Sequence, residues 1–160
     1  MEIQFRKLTN THHVLAVVRD DGTRDEMHCE TRSVMDHDLI HLAVEAQSAM
    51  SGGFWGSLAA GVTFAALNDR DGAMLGEGQR KTLGLAETIV GVMTGLGKSS
   101  SPADDLPQVL SYLEQVGVVP PSWLNLAFVD AVEERLRKLR GHWKATPFGK
   151  TMIVHWPADE

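Results

Sequence analysis

The longest stretch of the chain without a charged residue runs from Ala46 to Asn68. Within it, residues 54–67 read Phe-Trp-Gly-Ser-Leu-Ala-Ala-Gly-Val-Thr-Phe-Ala-Ala-Leu and are apolar on every side, which is typical of a buried helix or of a membrane span. A helix needs roughly 20 residues to cross a bilayer, and this segment has only about 14. We therefore predict that it forms the hydrophobic centre of a folded domain, in which Gly56 and Gly61 let neighbouring helices approach closely.

Length and charge limit the class of protein. The 160 residues are enough for a single domain, 1–160, that buries roughly two thirds of its unfolded surface. The net charge of −6 disfavours nucleic acid and anionic lipid as partners. The lone Cys29 excludes an internal disulfide and favours a reducing compartment. Because the N-terminal residues read as a strand and lack a basic-then-apolar leader pattern, we predict a cytoplasmic protein without a membrane segment.

The order of alternating and helical patterns predicts the fold class. Strand patterns with a period of two occupy residues 3–8, 13–19 and 24–30, and a further one, 151–156, is expected to rejoin the N-terminal hairpin. Helices are expected between about 36 and 141, in these segments: 36–51, 54–67, 80–96, 105–116 and 122–140. Residues 98–105 read as a polar linker. Strands at both ends and helices between them predict an α+β fold, with a small antiparallel sheet packed on four to five helices.

The first predicted helix carries the residues best suited to chemistry. Residues 37–45 read His-Asp-Leu-Ile-His-Leu-Ala-Val-Glu, which places His37, His41 and Glu45 one turn apart on one face, with Asp38 on the same side. The strip they form contains no lysine or arginine, unlike most solvated helix faces. Histidines at i and i+4 can bind one divalent metal ion, for which Zn²⁺ is the first candidate and Ni²⁺, Fe²⁺ and Mn²⁺ are alternatives.

Spacing assigns candidate roles around this histidine pair. Glu45 lies about 12 Å along the helix axis from His37, so as a metal ligand it is strained, whereas orienting His41 or holding a second ion is easier. Asp38 stands where the general base of His-Glu-x-x-His zinc peptidases stands, one methylene shorter. Asp38 and Glu45 are thus the candidate catalytic residues, and His37, His41, Glu45 and Glu87 the candidate ligands. Alternatives to Glu87 as the ligand from another element are His28 and His155.

Two resemblances bear on this motif. The segment 37–45, the segment 53–61 and the closing Trp-Lys-Ala-Thr-Pro-Phe-Gly of 143–149 with His-Trp-Pro of 155–157 resemble a group of small uncharacterised bacterial proteins, which brings no established function. More faintly, His-Asp-x-x-His is similar to the zinc motif of the ubiquinone-biosynthesis scaffold proteins. Their pattern is completed by a Glu twelve residues after the second His, a position held here by Gly53. This resemblance implies only metal binding by His37, Asp38 and His41.

Three functions remain open on the sequence alone. The first is a metal-dependent hydrolase of a small or peptide-like substrate, with Asp38 or Glu45 as proton acceptor. The second is a non-enzymatic interaction protein, such as a homodimer, whose four Trp and seven Met residues supply the contact surface and whose His/Glu row is a solvated face. The third is a pH-responsive module that uses the seven histidines.

Three other features favour structural interpretations. Cys29 and His28 are neighbours on a strand and point to opposite faces, so the cysteine is expected to be an inert core residue. The residues Gly76-Glu-Gly-Gln-Arg80 lack the full glycine pattern of a phosphate-binding loop. The basic cluster at 135–144 is expected to be a helix C-terminus that is stabilised by the helix dipole.

Overall fold

A computed structural model describes residues 1–69, 74–93 and 102–157 of the chain. Four strands in these ranges form one antiparallel sheet with the order β3-β2-β1-β4. They are β1 Glu2–Lys7, β2 His12–Val18, β3 Arg24–Glu30 and β4 Thr151–His155. The C-terminal strand rejoins the N-terminal strands, as the sequence predicted, and it does so beside β1, where Phe5 lies between Leu15 on one side and Met152 on the other.

The helices lie between β3 and β4. A short π-helix, Thr31–Met35, leads from β3 into the first α-helix. The α-helices are α1 Asp36–Ser48, α2 Phe54–Ala59, α3 Phe64–Leu67, α4 Glu77–Met93, α5 Pro102–Gln115 and α6 Leu126–Ala145. The fold is therefore α+β, as predicted, with six α-helices in the described ranges where four to five were expected. None of these helices is long and apolar enough to span a membrane.

The apolar segment 54–67 is central but is not one helix. Trp55 and Leu58 are fully buried, which agrees with its predicted place in the core. The single-helix prediction is wrong because Gly61 has a φ of +96°, in the left-handed region that ends a helix. The side chain of Thr63 then caps α3 by accepting a hydrogen bond from the amide of Ala66, at 3.2 Å.

Both glycines in this segment serve purposes other than helix–helix packing. A Cβ on Gly56 would collide with the backbone of Ser51, so this glycine lets the preceding turn fold back on α2. A Cβ on Gly61 would meet nothing within 4 Å, so its role is the positive φ alone. The predicted close approach between helices is therefore wrong at both positions.

Other boundaries differ from the predictions for local reasons. The last helix begins at Leu126 instead of Ser122, because the side chain of Asn125 accepts a hydrogen bond from the amide of Phe128 at 3.0 Å and caps it there. Of the predicted linker, residues 98–101 lie outside the described ranges, and 102–105 already belong to α5. The end of the predicted helix 80–96 and residues 70–72 of the loop after Asn68 also lie outside the described ranges.

Helix α1 is the middle of the domain. It contacts α6, α4 and α2, and its apolar residues join the inner face of the sheet in one core. Asp36 at its start accepts two hydrogen bonds from Arg140 of α6, at 2.7 Å from Nε and 2.8 Å from Nη2. Because α1 is covered on several sides, its polar strip is enclosed by other elements.

Candidate metal centre

Most of the polar strip of α1 is buried. Only 1% of His41, 0% of Glu45 and 7% of Asp38 is exposed. The side chain of His37, which lies one turn before His41, is 39% exposed. A solvated face is therefore the wrong description for three of these four side chains. Buried polar groups are costly unless they find partners, so their contacts decide what the strip does.

Glu45 is held by the start of α2. Its Oε1 accepts hydrogen bonds from the amide of Phe54 at 2.8 Å and lies 2.9 Å from Nδ1 of His41, while its Oε2 accepts from the amide of Trp55 at 2.9 Å. Amides in the first turn of a helix have no partner inside the helix and bind carboxylates well. The carboxylate is thus fixed against one ring nitrogen of His41, and Nε2 is directed away from it.

Gly53 makes this arrangement sterically feasible. A Cβ at this position would lie closer than 3.0 Å to the carboxylate of Glu45. The sequence predicted Gly52 and Gly53 as the stop of the first helix, but α1 ends earlier, at Ser48, with Ala49 in the left-handed conformation at φ 52°. Both glycines instead allow close approach, Gly52 to Thr82 of α4 and Gly53 to Glu45. Sequence reasoning missed this role of Gly53.

On the other side of the His41 ring, three side chains converge. One potential ligand atom each from His37, His41 and Glu87 lies within 4.8 Å of the others, so the group could hold a metal ion. Oε2 of Glu87 is 3.4 Å from Nε2 of His41 and 3.8 Å from Nε2 of His37. A tetrahedral ion with ligands at about 2.0–2.2 Å holds them about 3.3–3.6 Å apart. The two distances from Glu87 to the histidines are therefore already within about 0.5 Å of those in a tetrahedral zinc site.

The other candidate ligands lie elsewhere. Glu45 is outside the group that could hold one ion, and its place beside Nδ1 of His41 corresponds to the orienting role considered above. His28 and His155 are exposed on the outer face of the sheet, opposite Val14 and Glu2 in the strand register. Among the three elements that were considered for a further ligand, the structure brings only α4 to the histidine pair.

Asp38 borders the group without completing it. Its Oδ1 is 4.0 Å from Nδ1 of His37, and its Oδ2 is a buried atom without a hydrogen bond to any described residue. Burial raises the pKa of Asp38, outweighing the opposite effect of the nearby His37 and His41 rings. An unpaired buried carboxyl oxygen in a native protein calls for a functional explanation.

The four polar side chains His37, Asp38, His41 and Glu87 line one cavity of about 180 Å³. Its other walls come from β2, β3, α2, α3, α4 and the π-helix, and most of them are apolar. Because His37 and Glu87 are partly exposed whereas Asp38 and His41 are buried, the polar group runs from the mouth of the cavity to its interior. A ligand can therefore reach the group from solvent.

In the metal-free protein, electrostatic attraction holds His41 between Glu45 and Glu87. Burial lowers the pKa of His41, but the hydrogen bonds and charges of Glu45 and Glu87 outweigh it and raise the pKa to about 9. The nearby His41 ring in turn lowers the pKa of Glu87, against the opposing effect of burial. At neutral pH the metal-free cluster is thus an imidazolium between two carboxylates, and a metal ion would replace the proton on Nε2.

Cys29 and the basic cluster at 135–144 both have structural roles. Cys29 is buried on the inner face of β3, opposite to His28, and desolvation together with the charge of Asp38 raises its pKa to about 11. The thiol is therefore protonated and inert near neutral pH. In the basic cluster, Arg137 and Lys138 pair with Glu134 on the same helix, and Arg140 pairs with Asp36.

The fold and the site together define an α+β protein with a candidate metal centre of two histidines and one glutamate, bordered by a buried aspartate. No family model, no curated protein and no solved structure matches the chain.

Proposed function

We propose that the protein is a metal-dependent hydrolase whose ion, Zn²⁺ in the first instance, is bound by His37, His41 and Glu87. The observation that carries the proposal is the convergence of these three ligand atoms beside the unpaired Oδ2 of Asp38 in one cavity. Two histidines and one glutamate are a donor set of catalytic zinc sites, which leave a further coordination position open. A closed structural site would normally have a fourth protein ligand.

The proposed chemistry divides between the ion and the protein. When bound, such an ion lowers the pKa of a coordinated water to about 7 and polarises the substrate carbonyl. Asp38 accepts the proton of the attacking water through Oδ2 and later returns it to the leaving group. Glu45 keeps the proton of His41 on Nδ1, so that Nε2 remains free to bind the ion.

The experiment that tests this function compares metal content in protein purified without a histidine tag. The variant is His37→Ala/His41→Ala, and the matched control is His28→Ala/His155→Ala, which removes two exposed histidines from the outer face of the sheet. We expect about one equivalent of a transition metal in the wild type and in the control, and none in the variant. Absence of metal from all three after incubation with Zn²⁺, Mn²⁺ and Fe²⁺ would overturn the proposal.

A second variant separates metal binding from catalysis. Asp38→Asn keeps the size of the side chain but removes the proton acceptor. We expect it to bind metal as the wild type does and to lose a factor of about 10²–10⁴ in kcat on any ester or amide that the wild type hydrolyses. Equal turnover by both proteins would exclude Asp38 as the acceptor.

A further inference from the structure

The cavity beside the metal centre has mainly apolar walls. Its apolar residues come from six elements, so they surround the space instead of lining only one side of it. They are Leu15, Met27, Val34, Phe54, Leu67 and Leu83. From these walls we infer that, if the protein is the hydrolase proposed above, its substrate is an ester or amide with a short, neutral, apolar acyl group that occupies this cavity.

The volume of the cavity limits the length of that group. Pockets for drug-sized ligands measure about 300–1,000 Å³, whereas this cavity has about 180 Å³. At roughly 30 Å³ for each water displaced, it holds the equivalent of about six waters, which fits an acyl chain of about four to six carbon atoms. A longer chain would have to leave through the mouth, where it would gain less from burial.

The charges in the cavity select against anionic substrates. The carboxylates of Asp38 and Glu87 line it, and the described residues of its wall include no lysine or arginine. A divalent ion bound there would only balance these two charges. No net attraction would then remain for a substrate that carries a phosphate or a carboxylate group. A neutral acyl group meets no such penalty and gains from the apolar walls.

Leu83 offers a way to change the cavity without touching the ligands. It lies one helical turn before Glu87 on α4, so its side chain projects from the same side of the helix and lines the same cavity. It is only partly buried, so a larger side chain there is tolerated better than in the closed core. Leu83→Trp should fill the acyl space while His37, His41 and Glu87 still bind the ion.

The test measures binding of alkyl hydroxamates to the zinc-loaded protein by calorimetry, using acetohydroxamate, butyrohydroxamate, hexanohydroxamate and octanohydroxamate. The hydroxamate group binds zinc in every case, so differences report the alkyl chain. We expect affinity to rise about fourfold per methylene up to hexanohydroxamate and to level off at octanohydroxamate. Leu83→Trp should still take up zinc but lose the dependence of affinity on chain length.

The results distinguish failure of the proposed metal site from failure of the proposed acyl cavity. If the wild type takes up no zinc, the metal-dependent hydrolase is overturned, and the acyl cavity with it. If zinc binds but affinity does not change with chain length, or rises equally in Leu83→Trp, only the acyl cavity is overturned. If Leu83→Trp does not fold, Leu83→Ala replaces it. The chain length at which affinity stops rising should then increase, because the cavity is larger. The same chain-length limit as in the wild type would contradict the inference.

A comparison of turnover tests the charge argument separately. The zinc-loaded protein is expected to hydrolyse p-nitrophenyl butyrate with a higher kcat/KM than p-nitrophenyl phosphate. The opposite ranking would overturn the neutral acyl substrate, although it would leave the metal-dependent hydrolase intact.

Discussion

At the scale of single residues, Glu45 fixes the orientation of the His41 ring. Its carboxylate is 0% exposed, holds Nδ1 of His41 at 2.9 Å and is itself fixed by two amides of α2. Carboxylates in this position usually contribute a factor of 10–100 to metal affinity. We therefore predict that Glu45→Gln binds Zn²⁺ about 10–100-fold more weakly in competition with a chelator. Glu114→Gln, at an exposed position on α5, should bind like the wild type, and equal affinity in both variants would contradict the orienting role.

His13 makes stability depend on pH outside the metal site. It is 0% exposed, and burial, together with the charge of His12, lowers its pKa to about 4 from 6.5. Below pH 6.5 the unfolded chain takes up a proton at this residue, whereas the folded protein does so only near pH 4. The free energy of unfolding therefore falls as the pH is lowered through this window, by up to about 3 kcal/mol from His13 alone.

The variant His13→Gln isolates this contribution, because glutamine is neutral at every pH and can still hydrogen-bond Thr31, which Nδ1 of His13 contacts at 3.1 Å. Urea unfolding at pH 7, 6 and 5 should show a smaller loss of stability in the variant than in the wild type. Parallel pH profiles would mean that folding does not lower the pKa of His13.

The sequence supplied the residues of the site, but not their burial. Helical spacing alone puts His37, Asp38 and His41 on one face, and this arrangement is present. Whether that face meets water depends on which elements cover it, which no periodicity within the helix encodes. For the same reason Glu87 could not be separated from His28 and His155 by sequence. The distinction comes from α4 packing on α1, while His28 and His155 occupy the outer positions of their strands.

At the scale of elements, the junction between α1 and α2 depends on the missing side chain of Gly53. We predict that Gly53→Ala pushes the Glu45 carboxylate away from its amides, lowers stability by about 1–3 kcal/mol and weakens Zn²⁺ binding as Glu45→Gln does. The matched control is Gly91→Ala in α4, where a Cβ would meet nothing within 4 Å.

The control should change stability in the opposite direction. Alanine is favoured over glycine inside a helix by about 0.5–1 kcal/mol, so Gly91→Ala is expected to stabilise the protein without altering zinc affinity. Urea unfolding and chelator competition measure both quantities. If both substitutions raise the free energy of unfolding, the Glu45 carboxylate can move away from its amides without loss of stability, and its position is not fixed by them.

The positions of the strands were predictable from local sequence patterns. The strands and the pairing of β4 with β1 follow from alternation and from the need to complete the sheet. The segment 54–67 was misjudged because its apolar composition hides the break at Gly61, which also depends on a distant residue. Arg19 of the β2–β3 turn donates hydrogen bonds to the carbonyls of Leu58 and Val62, at 2.6 and 2.8 Å, and so satisfies the end of α2. Such a partner is visible only in three dimensions.

At the scale of the whole molecule, a metal ion would join two helices that are anchored unequally. The histidines lie on α1, in the centre of the domain, and Glu87 lies on α4. In α4 the buried residues Ala86, Ile89, Val90 and Met93 all belong to its second half, and no residue before Ala86 is buried. The first half of α4 should therefore open easily in the metal-free protein.

We predict that Zn²⁺ slows amide hydrogen exchange in α4 more than in α6. An ion that binds only the closed form stabilises it by about 2.7 kcal/mol at a hundredfold excess over the dissociation constant, which slows exchange through α4 opening by about 100-fold. Helix α6 carries no ligand, so local openings there should be unaffected. Glu87→Gln should abolish the difference between the helices because the histidine pair alone does not reach α4. Equal slowing in both helices of the wild type would mean that the ion stabilises the domain without Glu87 as a ligand.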